Sequence, residues 1–385
     1  MPDGHGPERL RRALAGHIGL PGVPGLVAVV RRDGETHAVV LGSMAAGGAP
    51  MRRDALFRIA SLTKPMTAAA ALALVEDGTL RLDDPVDELL PELAAPRVLR
   101  RPDGPLHDTV PAERAITLRD LLTFRLGTGA VLEPSPIGTA LDEAGVAPGP
   151  DVSPLPPDTW MKRLGALPLV HQPGERWMYH TGSEVLGVLI ARATGRPLAD
   201  VLRERIFDPL GMHGTGFHIA PGDAPRLVTS YAPDDTGRLV VRDDPRDRPP
   251  GFPSGGGGLV ATADDVAAFF GAMLDGGGPV LTRALVEPMT SDHLTPAQRA
   301  GAEPLPGTSG WGFGVAVETR RSGPAARPGR FGWQGGLGTT AFADPAGDVV
   351  GVLCTQVAVW APGMQRLMAD FWNQAGDDLG REPES

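Results

Sequence analysis

Lysine and tyrosine are nearly missing from this chain of 385 residues, which holds only Lys64 and Lys162, and Tyr179 and Tyr231. Every other one of its 36 basic residues is arginine. An arginine keeps its proton in any protein environment, whereas a lysine can be pushed to the neutral amine. A lysine retained against such a bias therefore suggests chemistry that a permanent cation cannot perform. Cysteine is just as scarce. Cys354 is the only one, which excludes a disulfide and a thiolate metal cluster, and its apolar neighbours 349–353 mark it as a buried small hydrophobe. No apolar run reaches the length of a membrane span. Arg11-Arg12 is followed by a stretch too short and too interrupted for a secretory signal, so a cytoplasmic location and no membrane partner are expected. The net charge of −10, with acids and bases interspersed, leaves no basic stripe for a nucleic acid. There is no Gly-x-Ser-x-Gly elbow, no His-Glu-x-x-His pair, no phosphate loop and no dinucleotide fingerprint. Neither a metal nor another cofactor is expected.

What the chain does contain is 42% apolar residues, enough for a sizeable core, broken by 52 glycines and 40 prolines into a loop-rich fold. Residues 26–30 and 36–41 read as two strands around an Asp33-Gly34 turn. A buried helix starts at Ser61, carries Met66, Ala69, Ala70, Leu72, Ala73 and Val75, and stops at Gly78. Pro65 falls in its first turn, where it is tolerated. Asp83-Asp84-Pro85 is expected to open a short acidic helix, and 116–122 another. Residues 127–158 read as a long loop over the site. Helices follow at 184–194, at 201–207 and, capped by Thr262, at 263–274. The last third returns to strands at 311–318, 337–343 and 349–356, with a turn at Pro345-Ala346-Gly347, and closes on a helix at 364–374. The first strands should pair with the last. The expected fold class is α+β: an antiparallel sheet flanked by terminal helices, with a mostly helical part inserted. The division is 1–60 with 290–385 for the sheet, and 61–289 for the helices. Ser61 lies at the junction, where clefts tend to form.

Lys64 stands three residues after Ser61, one helical turn on and on the same face, so its amine can reach the serine Oγ. The positive end of a helix favours an oxyanion and disfavours an ammonium. Burial would depress the lysine further, leaving a neutral amine able to take the Ser61 proton. Tyr179, in Tyr179-His180-Thr181 ahead of a helix, could relay a proton to the leaving group. Trp333-Gln334-Gly335-Gly336 enters a C-terminal strand, and its glycines offer a second backbone N–H for the oxyanion. Trp311 and Phe313 are candidate pocket residues or core, with core the default for aromatics on a strand.

The segment Phe57-Arg58-Ile59-Ala60-Ser61-Leu62-Thr63-Lys64-Pro65 resembles the first motif of the serine β-lactamase and penicillin-binding-protein superfamily. It is most similar to the class C-like branch of family VIII carboxylesterases, D-aminopeptidases and transesterases. Leu82-Asp83-Asp84-Pro85, Pro173-Gly174-Glu175, Pro209-Leu210-Gly211-Met212, Ser254 to Leu259 and Asp344-Pro345 match in the same order. The resemblance implies the β-lactamase/transpeptidase-like fold, with Ser61, Lys64 and Tyr179 catalytic and the N–H groups of Ser61 and Gly336 as oxyanion donors. It places His180, Thr181, Trp333, Gln334 and Gly335 against the substrate. Two positions depart from the pattern. Thr181 stands where the family usually has asparagine, and Trp333 where β-lactamases have a lysine that holds the substrate carboxylate.

The expected function is that of a serine hydrolase acting on a small ester, or an amide, through an acyl-enzyme on Ser61. A biosynthetic acyltransferase would use the same residues. A β-lactamase and a non-catalytic penicillin-binding-like protein remain as further options.

Overall fold

Asp33 and Gly34 both adopt positive φ, 50° and 79°, the backbone a two-residue hairpin needs to match the twist of its strands. This turn joins strands β1 (Gly25–Arg32) and β2 (Glu35–Gly42). The structure is a computed structural model and describes residues 5–19, 22–149, 151–299, 302, 308–321 and 326–376. Five strands from the end of the chain complete the main sheet: β3 (Ser309–Trp311), β4 (Ala316–Glu318), β5 (Phe331–Gly335), β6 (Thr339–Asp344) and β7 (Val349–Thr355). The order is β2-β1-β7-β6-β5-β4-β3, antiparallel throughout. Leu26 faces Thr355 and Val29 faces Val352 in the β1–β7 ladder, so the first strands do pair with the last.

β1 is an apolar run because both of its faces are covered. Leu26, Ala28 and Val30 pack with Leu10, Leu14, Leu367 and Phe371 of the terminal helices His5–Ala15 and Met364–Gly376. Val27 and Val29 point the other way, into the main core. The helix Ala263–Leu274 lies there, against β1, β6 and β7. Chain order alone grouped this helix with the inserted segment, but its packing is with the sheet.

The helix Thr63–Glu76 is buried along residues 63–74. Its alanines combine the highest helix propensity with the small size that lets neighbours approach on all sides. Gly78, with φ 81°, turns the chain out of it.

Several expectations need correction. No helix opens at Asp83-Asp84-Pro85. Asp83 is held by Arg119 at 2.7 Å, and Val86 N–H donates to the Ile116 carbonyl, so the backbone bonds a helix would need go to the 116–119 segment. The 127–158 stretch is not one loop. It contains the helix Pro136–Ala144, capped by Ser135 and ended by Gly145 at φ 68°, and leads into Pro157–Gly165. The single strand expected over 311–318 is a hairpin of β3 and β4, folded at Gly314 with φ 74°. Trp311 and Phe313 are fully buried and belong to the core.

Candidate active site

Ser61 sits in a 3-10 turn, Ala60–Leu62, immediately before the helix Thr63–Glu76. Ala60 adopts φ 45°, an uncommon conformation for a residue with a side chain. The Thr63 hydroxyl braces the turn by donating to the Ala60 carbonyl at 2.7 Å and accepting from Leu259 N–H at 3.2 Å. From the sheet side, Thr339 Oγ1 donates to the Ile59 carbonyl at 3.0 Å. The serine is therefore fixed between the sheet and the helices.

Lys64 is completely buried, while Lys162 is exposed on the helix Pro157–Gly165. Its Nζ lies 2.9 Å from Ser61 Oγ and 3.2 Å from His180 Nδ1, and it hydrogen-bonds the Gly256 carbonyl. Burial lowers its pKa to about 7, against a smaller opposing pull from Glu184. A substantial fraction is thus the neutral amine at neutral pH.

Tyr179 and His180 are consecutive, yet both face Lys64. The ammonium position lies 4.7 Å from the centre of the Tyr179 ring. His180 makes this possible by adopting φ 83°, ψ −62°, with Thr181 N–H donating to the Tyr179 carbonyl at 3.2 Å. That is a γ-turn of the rare, strained hand. Burial pushes the Tyr179 phenol up to about 12, with Ser61 and the Trp333 N–H pulling the other way, so it keeps its proton. Trp333 Nε1 donates to Tyr179 Oη at 2.6 Å. Trp177, Phe124 and Trp311 complete an aromatic cluster around these two rings.

Other expected residues are placed differently. Thr181 is buried in the first turn of the helix Thr181–Thr194, and it is His180 whose side chain meets Lys64. Gly335 packs its backbone against the Ile59 carbonyl, so closely that a Cβ would clash with it. Gln334 is half-buried and its amide makes no hydrogen bond among the described residues. The N–H groups of Ser61 and Gly336 donate to no protein acceptor among the described residues. Trp360, 51% exposed, stands beside Gly336, its ring edge 3.5 Å from where a Cβ would lie.

Two site residues escaped sequence reasoning. Glu184 accepts from Ser254 Oγ at 2.6 Å and lies 3.1 Å from His180 Nε2 through the same oxygen. Gly256 supplies the carbonyl to Lys64. The available signals were the four-residue spacing of His180 and Glu184 at a helix start and the run of glycines after Ser254. Among the described residues, no cluster of three or more His, Cys, Asp or Glu side chains could hold a metal ion. No helix among them is long and apolar enough to cross a membrane.

The family model described as Beta-lactamase matches residues 10–370. The chain belongs to the beta-lactamase family. A Mycobacterium tuberculosis protein, Rv1367c, is 41% identical over 318 residues, covering 79% of this chain and 78% of that protein. Esterase EstB from Burkholderia gladioli is 34% identical over 363 residues, covering 87% and 86%. Among solved structures, EstCE1, described as a hydrolase with promiscuous acyltransferase activity, superposes with a TM-score of 0.81. It is 25% identical, and the match covers 96% of this chain and 98% of that one. Esterases and acyltransferases thus stand among the relatives of this beta-lactamase-family protein, and its fold is that of the family.

Proposed function

We propose that the protein is a carboxylesterase-type serine hydrolase that cleaves a small ester through an acyl-enzyme on Ser61. The observation that carries this reading is the 2.9 Å approach of a fully buried lysine to Ser61 Oγ. The neutral Lys64 amine takes the Oγ proton as the oxygen lone pair forms the bond to the carbonyl carbon. The negative charge that develops on the carbonyl oxygen is met by the N–H groups of Ser61 and Gly336. The Tyr179 hydroxyl delivers a proton to the leaving alkoxide as the ester C–O bond breaks, and is reprotonated from Lys64. Water then enters, gives up a proton along the same route in reverse, and releases the acid.

An uncharged ester suits the site because Trp333 stands where a carboxylate-binding lysine would be needed, and spends its N–H on Tyr179. Esterase EstB is a relative with that activity in its name. Transfer of the acyl group to an alcohol would use the same acyl-enzyme, and the dual activity of the structural neighbour EstCE1 favours keeping it as a second outcome. We place Trp360, and with it Gln334, at the rim where the acyl or alcohol group lies. We place the site between a sheet part, 1–60 with 290–385 and the helix Ala263–Leu274 packed on it, and a helical part made of the rest of 61–289.

Ser61→Ala is expected to abolish covalent labelling by a fluorophosphonate and the acyl mass gained from p-nitrophenyl esters; undiminished labelling would place the nucleophile elsewhere. For the wild type, kcat/KM for a short-chain p-nitrophenyl ester should exceed that for nitrocefin by at least about a hundredfold, or ~2.7 kcal/mol. Efficient nitrocefin turnover would restore a β-lactamase reading.

A further inference from the structure

Lys64 Nζ has three neighbours within hydrogen-bond distance: Ser61 Oγ, His180 Nδ1 and the Gly256 carbonyl. A neutral amine has two N–H donors and one lone pair, so the chemistry of the neighbours decides where the lone pair goes. The Gly256 carbonyl can only accept. His180 Nδ1 is also an acceptor, because Nε2 faces the Glu184 carboxylate at 3.1 Å and must carry the ring proton. Burial, followed by the nearby Lys64, lowers the His180 pKa and keeps the ring neutral. Both N–H groups are then committed, and the lone pair is left for the Ser61 hydroxyl.

We propose that His180 and Glu184 form a positioning pair that aims the Lys64 lone pair at Ser61, and so set the rate of acylation without touching the reacting atoms. This rests on the reading of Ser61 as nucleophile and Lys64 as base. The same three neighbours serve the next state. Once Lys64 has taken the Ser61 proton, its third N–H donates to the serine oxygen, and no donor is stranded in either protonation state.

The surroundings are built to hold the pair. Glu184 is 7% exposed, and Ser254 Oγ anchors the oxygen that faces His180. Burial would push its pKa up, but the hydrogen bonds from His180 and Ser254 and the nearby Lys64 outweigh this and hold it low, so it remains a carboxylate acceptor. A Cβ at Gly256 would lie 2.7 Å from that oxygen and 3.2 Å from the His180 ring, so a side chain there would displace both. The strained turn at His180 is what brings its ring to Lys64, and strain of this kind persists only where surrounding contacts enforce it. The other Glu184 oxygen is buried with no partner among the described residues. His180 and Glu184 line a cleft of about 310 Å³ with Val146, Asp151, Trp160 and Phe252.

The charged and titratable groups around the pair are Lys64 from the helix Thr63–Glu76, Tyr179 from the turn, and Asp142 and Asp151 across the cleft. Asp151 is ion-paired with Arg242. Glu184 is the one whose charge reaches Lys64, and it favours the ammonium. Removing it should therefore lower the Lys64 pKa.

The test is steady-state and single-turnover hydrolysis of p-nitrophenyl acetate by the full chain, with Glu184→Gln and His180→Phe, across the pH range in which Lys64 titrates. Glu184→Gln removes the carboxylate charge that fixes the ring proton on Nε2, so the tautomer with its proton on Nδ1, which competes for the lysine lone pair, becomes populated. The expected result is a fall in kcat and acylation rate of about ten- to a hundredfold, KM within about twofold, and the rising limb of the pH profile moved to lower pH. His180→Phe should lose kcat similarly while melting as one cooperative transition. A kcat within about twofold of wild type, or a loss with the limb unmoved, would overturn the proposal. If Ser61→Ala abolishes labelling while Glu184→Gln behaves as wild type, the pair alone is wrong; if Ser61→Ala keeps its labelling, the nucleophile assignment fails first.

Discussion

Lys64→Arg is expected to be nearly as damaging as Lys64→Ala, because a guanidinium cannot accept the Ser61 proton. Loss of a general base of this kind costs roughly 10²–10⁴ in kcat, and near-wild-type turnover by the arginine variant would show that only the charge matters. The pH dependence follows with a definite sign. The amine is competent only when deprotonated, and burial has brought its pKa down to about 7, so kcat/KM should rise with pH through that region. Tyr179, raised to about 12, keeps its proton throughout the usual range, so no falling limb is expected below it. A profile that falls as pH rises through neutrality would contradict both assignments. Trp333 illustrates a residue whose type was legible and whose role was not. The resemblance set it against the substrate in place of a lysine, and the structure adds that its N–H donates to the Tyr179 hydroxyl at 2.6 Å and its ring packs on Trp311. A lysine placed there would be buried among rings. Trp333→Phe is the better probe, and loss of one hydrogen bond to the phenol should cost about three- to tenfold in kcat with little change in melting temperature.

Among the elements, the β3–β4 hairpin links packing to chemistry. Its tip residue, Gly314, has φ 74°, and a Cβ there would lie 2.6 Å from Ala68 Cβ and 3.1 Å from the Lys64 carbonyl. Gly314→Ala is expected to cost on the order of 1–3 kcal/mol of stability, read from the urea midpoint, and to lower kcat by shifting the lysine turn. An unchanged midpoint would mean that the tip does not press on the helix. Legibility at this scale followed locality. The helix Ala263–Leu274 was readable to the residue because Thr262 caps it, its hydroxyl accepting from Asp265 N–H at 3.0 Å. The helix Pro136–Ala144 has an equally local start and stop in Ser135 and Gly145, but its glycine- and proline-rich surroundings hid them. The strand expected over 311–318 broke because Gly312 N–H bonds the Val315 carbonyl, closing a turn that apolar composition does not reveal.

On the scale of the whole molecule, Cys354 offers a reporter. It is fully buried in β7, between β1 and β6, and burial pushes its thiol pKa well up. Ellman's reagent should therefore titrate no thiol in the native protein and one in guanidinium, with a native-state rate that tracks global unfolding. Fast modification without denaturant would mean that the centre of the sheet opens locally.

What depends on neighbours a few residues away was legible in the chain. The spacing of Ser61 and Lys64 brings both to one side of a helical turn, the Asp33-Gly34 turn makes a hairpin, and Thr262 starts a helix. Those are local backbone and side-chain preferences, and the motifs built on them carried the family and the fold. Tertiary structure alone decided the partners of the lysine. His180 lies 116 residues from Lys64 in the chain, Gly256 192, and the Trp333–Tyr179 bond spans 154. Which acceptor faces an amine, and hence where its lone pair points, depends on angstrom-scale placement of groups joined only through the packed core. Periodicity and propensity carry no information at that separation, so the proton arrangement of the site emerges only when sheet and helices close on Ser61.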